Sequence, residues 1–382
     1  MNVYRVSSDW GAEIGSYPCD QEANNLFALA GFSSGTSQTP APPPPTPTNS
    51  AGKVPVGIQN LQLVWTDKAT VDALYTDLFQ NLPGLQWVRV DFEDADATEA
   101  ANFVEQARKI HQNGGKVLAM TSITAGDVGG GSFPYSLSKL STASFAARIR
   151  IYMDALKAAG ETVEAWEIGN ELDSKGFNSD DMASAVLWQS AYGPMLQTAV
   201  RTIKDPAYAA AFPNTKVITV GFANMLSYRP EIHLANPPAA LAGLKNLNGQ
   251  NYLEGVDGYG MHVYPGAATV ESWTRQVFQQ YQDAGLTDKP IWVTEWGFHR
   301  AQFPYNGTTR AQDNQHWLEY VNAYSGLTFA ATFLFNYHGD GPEGGDYDIF
   351  DGNTLRQDEA KVLNNWNAAP LPAMGGTGSE GK

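Results

Sequence analysis

VEAWEIGNE, residues 163–171, starts as a buried β-strand and ends on polar groups. Val163, Ala165, Trp166 and Ile168 suit an interior, yet the run closes on Asn170 and Glu171, with Asp173 two residues further on. PIWVTEWGF (290–298) repeats the device, an apolar run that presents Glu295 between Thr294 and Trp296. A carboxylate in such a place costs free energy unless partners or a function hold it there. Two such placements call for one explanation.

Six more runs of the same kind surround these two: VPVGIQNLQLV (54–64), LQWVRVDF (85–92), KVLAMTSI (116–123), KVITVGFAN (216–224), VDGYGMHVY (256–264) and FAATFLFNYH (329–338). Helix-period stretches separate them, among them VDALYTDLFQNL (71–82), ANFVEQARKIHQNG (101–114), ASFAARIRIYMDALKAAG (143–160) and AQDNQHWLEYVNAYSG (311–326). Gly114, Gly160 and Gly326 stand where helices should stop. The segment 227–249 is broken by prolines and predicts short helical pieces over the mouth. Eight strands alternating with eight helices predict a (β/α)8 TIM barrel forming a single catalytic domain. A doubly wound open sheet would need a glycine-rich turn after the first strand, and QNLQLVWTDKAT (59–70) has none. In a barrel, functional groups stand at the C-terminal ends of the strands. Glu171, ending the fourth strand, and Glu295, ending the seventh, are then both on the top rim.

The barrel is expected over residues 53–370. Ahead of it, TPAPPPPTPTNSAG (39–52) is an extended Pro/Thr tether with no capacity to pack a core, and 371–382 reads as a flexible C-terminal tail. Within 1–52, LFALAGFSSG (26–35) resembles a bacterial lipoprotein processing site with Phe32 at the lipidation position. Asp9, Glu13, Asp20 and Glu22 lie upstream, so the reading divides between an altered leader and an ordinary tail. An extracellular or cell-envelope location is the corresponding expectation.

Composition narrows the partners. Of 382 residues, 40 are acidic and 24 basic, a net charge of −16, which would repel nucleic acid and anionic membranes. No run of eighteen apolar residues exists, so no membrane-spanning helix or stable membrane insertion is expected. The single cysteine, Cys19, excludes an internal disulfide framework and a CxxC site. The six histidines form no HExxH and no HxH after the first strand, and no metal or organic cofactor is expected. Asp346, Asp348 and Asp351 lie in the acidic, glycine-rich stretch 338–353, whose spacing departs from a calcium loop. Asn306-Gly307-Thr308 is a glycosylation sequon by pattern alone.

Two carboxylates across a cleft suit glycosidic cleavage, where one must donate a proton and the other must be ionised. Asn170 is placed to hydrogen-bond a sugar 2-hydroxyl. Glu167 shares the inward parity of Glu171 lower on the same strand and is a natural partner for Arg89. Arg89 reads either as that structural partner alone or as a cation that also holds Glu295 ionised. Trp65 and Trp296 are candidate platforms for a sugar face, with rim packing as the other reading of Trp296. Trp188, Trp273, Trp317 and Trp366 fall in helices as anchors against the barrel.

The ordered set Arg89, Asn170-Glu171, His262-x-Tyr264 and Glu295-Trp296 resembles the clan A glycoside hydrolases, retaining enzymes on a (β/α)8 barrel, with motifs closest to families 39, 51, 79 and 5. DIFDGNTLRQDEA (348–360) is similar to the clan's turn into its final helix. The resemblance implies that Glu171 is the acid/base and Glu295 the nucleophile. It also implies that Arg89 lies near the nucleophile and that His262 and Tyr264 flank it, the tyrosine hydroxyl contacting it. The sequence departs from the clan after the eighth strand, where a tryptophan is usual and LFNYH offers Phe335, Tyr337 and His338. Tyr337 is therefore carried as a further candidate for substrate contact. The expected function is retaining hydrolysis of β-glycosidic bonds in a carbohydrate substrate, a β-linked glycan; the alternative is a non-catalytic carbohydrate-binding barrel. The loop TAGDVGGGSFPYS (124–136) would either wall off one end of the cleft or leave it open, separating exo from endo action.

Overall fold

The computed structural model describes residues 2–4, 13–16, 52–59, 68–92, 97–180, 184–223, 233–304, 307–337, 346–351 and 354–368. The chain divides into two units, 1–46 and 47–382. In the first, the described residues form an antiparallel pair of short strands, Asn2–Tyr4 and Glu13–Ser16. The leader-like run, the Pro/Thr tether and the C-terminal tail lie outside the described residues.

The second unit is the barrel. Its strands are β1 (Val56–Gln59), β2 (Trp87–Phe92), β3 (Lys116–Thr121), β4 (Ala165–Asn170), β5 (Lys216–Gly221), β6 (Tyr259–Val263), β7 (Ile291–Trp296) and β8 (Phe329–Leu334). They form one eight-stranded parallel sheet in the order β5-β4-β3-β2-β1-β8-β7-β6. A parallel bridge between Ile218 and Gly258 joins β5 to the approach of β6 and completes the ring. The helices are α1 (Lys68–Asn81), α2 (Ala97–Gln112), α3 (Thr142–Ala159), α4 (Ala185–Ile203), α5 (Pro237–Gly243), α6 (Val270–Asp283), α7 (Arg310–Ala323) and α8 (Gln357–Ala368), with one extra helical turn at Pro206–Ala209. As the prolines predict, α5 is short: Pro237 and Pro238 open it, and the Asn236 side chain accepts from Ala239 N at 3.2 Å. Among the described residues no helix is long and apolar enough to cross a membrane.

Two apolar layers follow from strand alternation. Outward side chains such as Val88, Val90, Phe92, Trp166 and Ile168 pack against the helices in one continuous core. Inward side chains Trp87, Leu118, Ala165, Ile218, Trp292, Ala331 and Phe333 plug the barrel. Trp87 meets Trp292 edge-on at 5.2 Å and Phe333 at 6.1 Å. Gly57 makes room for this plug, since a Cβ there would lie 2.7 Å from both Phe333 and Trp87. Above the plug the inward positions turn polar.

Two helix stops hold and one moves. Gly114 and Gly160 take the left-handed conformation expected after α2 and α3. The helix α7 ends instead at Ala323, followed by extended Tyr324. Gly326 is needed for a different reason, because Gln282 of α6 donates to its carbonyl at 2.9 Å and a side chain there would collide with that amide.

Candidate active site

Arg89 organises the upper barrel. It is fully buried and spends its guanidinium on four acceptors from three other strands: Nε donates to Glu167 at 2.7 Å, Nη1 to Glu295 at 2.7 Å and to Gln59, and Nη2 to Asn170 at 2.8 Å. Burial alone would lower its pKa, but Glu167, Glu295 and Asp91 outweigh burial and hold it above its usual value. The fixed fork of an arginine is what lets one cation bind four acceptors in a plane.

Glu167 lies beneath both rim carboxylates. Besides Arg89, it accepts from Gly221 N at 3.0 Å and Thr294 Oγ1 at 2.7 Å, and His262 Nε2 is 3.8 Å away. Burial pushes its pKa up; Arg89, His262 and Thr294 together bring it below the usual carboxylate value.

The rim pair stands above. His262 Nδ1 lies 2.9 Å from Glu171 Oε1 and 3.5 Å from Glu295 Oε2. Burial would push His262 down, but Glu295, Glu167 and Glu171 raise it to about 10, so the ring is a cation at neutral pH and Nδ1–H donates to Glu171. Tyr264 donates its hydroxyl to Glu295 Oε2. Burial chiefly, then Glu295 and Glu171, keep that phenol well above its usual pKa, so it remains a donor. Glu295 itself is raised by burial and by Glu171, against the pull of His262 and Arg89. Selected oxygen and nitrogen atoms of Glu171, His262 and Glu295 lie within 4.8 Å of one another.

Backbone irregularities aim these groups. On β7 the register slips against both neighbours: Met261 and His262 pair with Val293 and Glu295, while Thr332 and Leu334 pair with Val293 and Trp296. One extra residue is thereby accommodated, a β-bulge, and both Thr294 and Glu295 face inward. On β4, Gly169 (φ 96°) and Glu171 (φ 45°) are left-handed, and Glu171 N donates to Gly221 O at 2.9 Å. A non-glycine residue in that region carries strain of about 1–3 kcal/mol. Asp173, just beyond, accepts from Ala223 N at 3.1 Å, and burial with help from Glu171 raises it to about 7. Gly221 lets the cluster close, since a Cβ there would lie 2.2 Å from His262 Nε2 and 2.6 Å from Thr294 Oγ1.

The structure thus gathers Arg89, Asn170, Glu171, His262, Tyr264 and Glu295. It does not bring Trp296 or Tyr337 to them. Trp296 is fully buried and stacks on Trp317 of α7, centroids 4.2 Å apart, because the bulge sends it outward. Tyr337 is also fully buried and faces α1: its hydroxyl donates to Asp77 at 2.6 Å and accepts from Asn81 at 2.9 Å. Trp65, His338 and Asn306 lie outside the described residues. Asp346 pairs with His299 (3.2 Å), while Asp348 and Asp351 share Arg300 (2.7 and 3.8 Å) and Asp351 also meets Arg356 (3.5 Å), so basic side chains occupy these carboxylates.

Sequence reasoning passed over Gln59, Thr294 and Tyr347. A lone amide closing the buried strand VGIQ is the signal for Gln59, which binds Arg89 and donates to Asp91 at 3.4 Å. Tyr347 meets Tyr264 at 5.2 Å and Phe335 at 5.9 Å, and Phe335 meets Tyr264 at 5.9 Å, so an aromatic wall stands on the Glu295 side where the strand-eight tryptophan would be.

Glu171, His262 and Glu295 are also the trio that could share a metal ion among the described residues. Their donor set fits one poorly, because Arg89 already binds one oxygen of Glu295 and Tyr264 the other. The cluster carries its own cations.

The fold and site together define a (β/α)8 barrel with a carboxylate pair at its C-terminal mouth. In fold it is similar to a solved structure of fungal β-1,4-galactanases (TM-score 0.57, 16% identity, 82% of this chain and 99% of that one). It is also similar to a GH39 β-xylosidase from Caulobacter crescentus (0.53, 16%, 85% and 73%) and to a glucosidase from Croceicoccus marinus (0.54, 12%, 85% and 68%). At these identities the likeness is one of fold. The sequence matches no family model and no curated protein sequence.

Proposed function

We propose that this chain is a retaining glycoside hydrolase acting on β-linked glycans, with Glu295 as nucleophile and Glu171 as acid/base. The approach of one carboxylate oxygen of each to within 4.8 Å carries the reading. Retaining pairs stand about 5–5.5 Å apart and inverting pairs about 6.5–9.5 Å, the wider gap holding a water. The names of the similar structures, a galactanase, a xylosidase and a glucosidase, support the same class.

The roles follow from the surroundings. Glu295 is held at both oxygens, by Arg89 and Tyr264, and so is fixed for attack. Glu171 has the more exposed side chain, 17% against 6%, and is free to follow a leaving oxygen. Carboxyl groups outnumber cations here, since Arg89 and His262 face Glu167, Glu171 and Glu295, and Asp91 lies 3.8 Å from Arg89, which favours a proton on one carboxyl. In the first step a Glu295 oxygen bonds to the anomeric carbon as the glycosidic C–O bond breaks, and Glu171 gives its proton to the departing oxygen. In the second, water gives a proton to Glu171 and its oxygen to the anomeric carbon, releasing Glu295 and a sugar of retained configuration. Asn170, its carbonyl taken by Arg89, offers amide hydrogens to a sugar hydroxyl.

The test is hydrolysis of aryl β-glycosides and of β-glucan, xylan, mannan and galactan by the wild type, Glu171→Gln and Glu295→Gln. The expected result is turnover of at least one substrate and its loss by several orders of magnitude in both variants. Wild-type binding without turnover would replace this reading with a carbohydrate-binding barrel.

A further inference from the structure

Phe133, Tyr135 and Phe177 form a half-open aromatic cluster on the Glu171 side of the mouth. Phe133 meets Tyr135 and Phe177 edge-on, each at 5.8 Å, and is itself 40% exposed. Single exposed apolar side chains are ordinary, but contiguous ones mark contact sites. The other large hydrophobic side chains left exposed among the described residues, Val186 and Leu187, open α4, the helix that packs on the turn following Tyr135.

The cluster is built rather than loose. Asn178 Oδ1 accepts from Leu137 N at 3.1 Å, Ser179 N donates to Tyr135 O at 3.1 Å, and Asp180 accepts from Ser138 N at 2.7 Å, so the loops after β3 and β4 are laced together. Phe177 is tied to Glu171 by two consecutive turns, Ser174 N to Glu171 O at 2.9 Å and Phe177 N to Ser174 O at 3.0 Å. Each such turn spans less than about 7 Å between its end Cα atoms, which keeps Phe177 within about 14 Å of Glu171. That is within reach of a short run of sugar rings.

We propose that Phe133, backed edge-on by Phe177, stacks on a pyranose ring on the leaving-group side of the scissile bond, so that the substrate is a β-linked chain continuing past Glu171 over the 124–136 loop. The inference rests on the reading of Glu171 as the acid/base, because the acid/base touches the leaving group. The Glu295 side has its own wall in Phe335 and Tyr347, so the two aromatic sets would grip opposite ends of one glycan.

The experiment compares the full-length wild type with Phe133→Ala/Phe177→Ala on two substrate series. β-Glycosyl fluorides have a single-atom leaving group that cannot reach the cluster; β-1,4-linked gluco-, xylo-, manno- and galacto-oligosaccharides of increasing length can. Fluoride kcat/KM is expected to stay within about twofold, while oligosaccharide kcat/KM falls about tenfold, mainly through KM and more for longer chains, as loss of ring stacking worth ~1.4 kcal/mol would give. Phe133→Trp should restore the oligosaccharide rate, showing that the loss is not misfolding. A wild type active on both series with an unchanged double variant overturns the platform alone. A wild type inert on both removes the glycosidase reading and the platform with it. Unchanged oligosaccharide kinetics with altered sedimentation would make the cluster a self-association contact and also overturn the proposal.

Discussion

Arg89 Nη1 lies 2.7 Å from Glu295 Oε1 at the level where the barrel interior changes from indole and phenyl rings to charge. Below it the Trp87–Trp292 plug excludes water, and above it the cleft opens. A guanidinium at this boundary is shielded on one side and paired on the other, so its contacts with Glu167 and Glu295 are electrostatically strong.

Removing that cation should be severe. Arg89→Leu leaves Glu167 and Glu295 buried without their main counter-charge, a loss of about 3–5 kcal/mol. Chemical denaturation should show it, and any glycosidase activity should vanish. Arg89→Lys should recover part of the stability but little activity, since an ammonium cannot bind Gln59, Asn170, Glu167 and Glu295 at once.

His262 gives the protein a pH signature. Its folded pKa of about 10 exceeds the unfolded value of about 6.5, so protonation favours the folded state. Its contribution is therefore complete below about pH 6.5 and lost as pH rises through about 10. Melting temperatures taken from pH 6 to 10 should fall in the wild type and fall less steeply in His262→Gln. Parallel curves would show that the ring does not titrate there.

Tyr264 tunes the proposed nucleophile. Its hydroxyl stabilises the ionised form of Glu295, whose pKa burial already raises. In Tyr264→Phe the carboxylate loses that donor, and the acid limb of the kcat/KM–pH profile should move to higher pH. An unmoved limb would separate Tyr264 from the ionisation of Glu295.

Gly221 should be far less tolerant than Gly114. An alanine Cβ at 221 would drive into His262 and Thr294, which cannot retreat from a packed interior, and activity should drop at least about tenfold. At Gly114 a Cβ meets nothing within 4 Å, so alanine there should cost only about 1 kcal/mol through its positive φ and leave kcat unchanged.

Trp296 should behave as core. Trp296→Ala opens a cavity against Trp317 and should cost about 3–5 kcal/mol. The milder Trp296→Phe should lower the melting temperature while leaving KM for an oligosaccharide intact. A KM that rises with no thermal penalty would return the indole to the cleft.

The barrel was legible because buried parallel strands read as apolar runs, and each of the eight runs contains an observed strand. The rim carboxylates were legible because polar groups closing such runs have no other explanation. What alternation and the neighbourhood of a key residue could not give was facing. Tyr337 follows Phe335 by two positions, yet its hydroxyl is captured by Asp77 and Asn81 of α1, a tertiary contact with no local trace. Gly326 suggested a helix stop and serves Gln282 instead. Gln59 was hidden because an amide at a strand end is ambiguous until the arginine it binds is seen.

The extra residue in β7 makes the strand's function a matter of phase. Counting strictly by twos from Trp292 would assign Thr294 and Trp296 to the lumen and Glu295 to the helices. The bulge advances the count by one after Thr294 and exchanges the last two. Straightening the bulge with every residue kept would rotate the carboxylate into the apolar shell and the indole into the mouth, whereas deleting Thr294 would restore plain alternation with Glu295 still facing the lumen. The proposed nucleophile is therefore specified by a reading frame as much as by a side chain, and the same letters run through a strand without the bulge would be chemically silent.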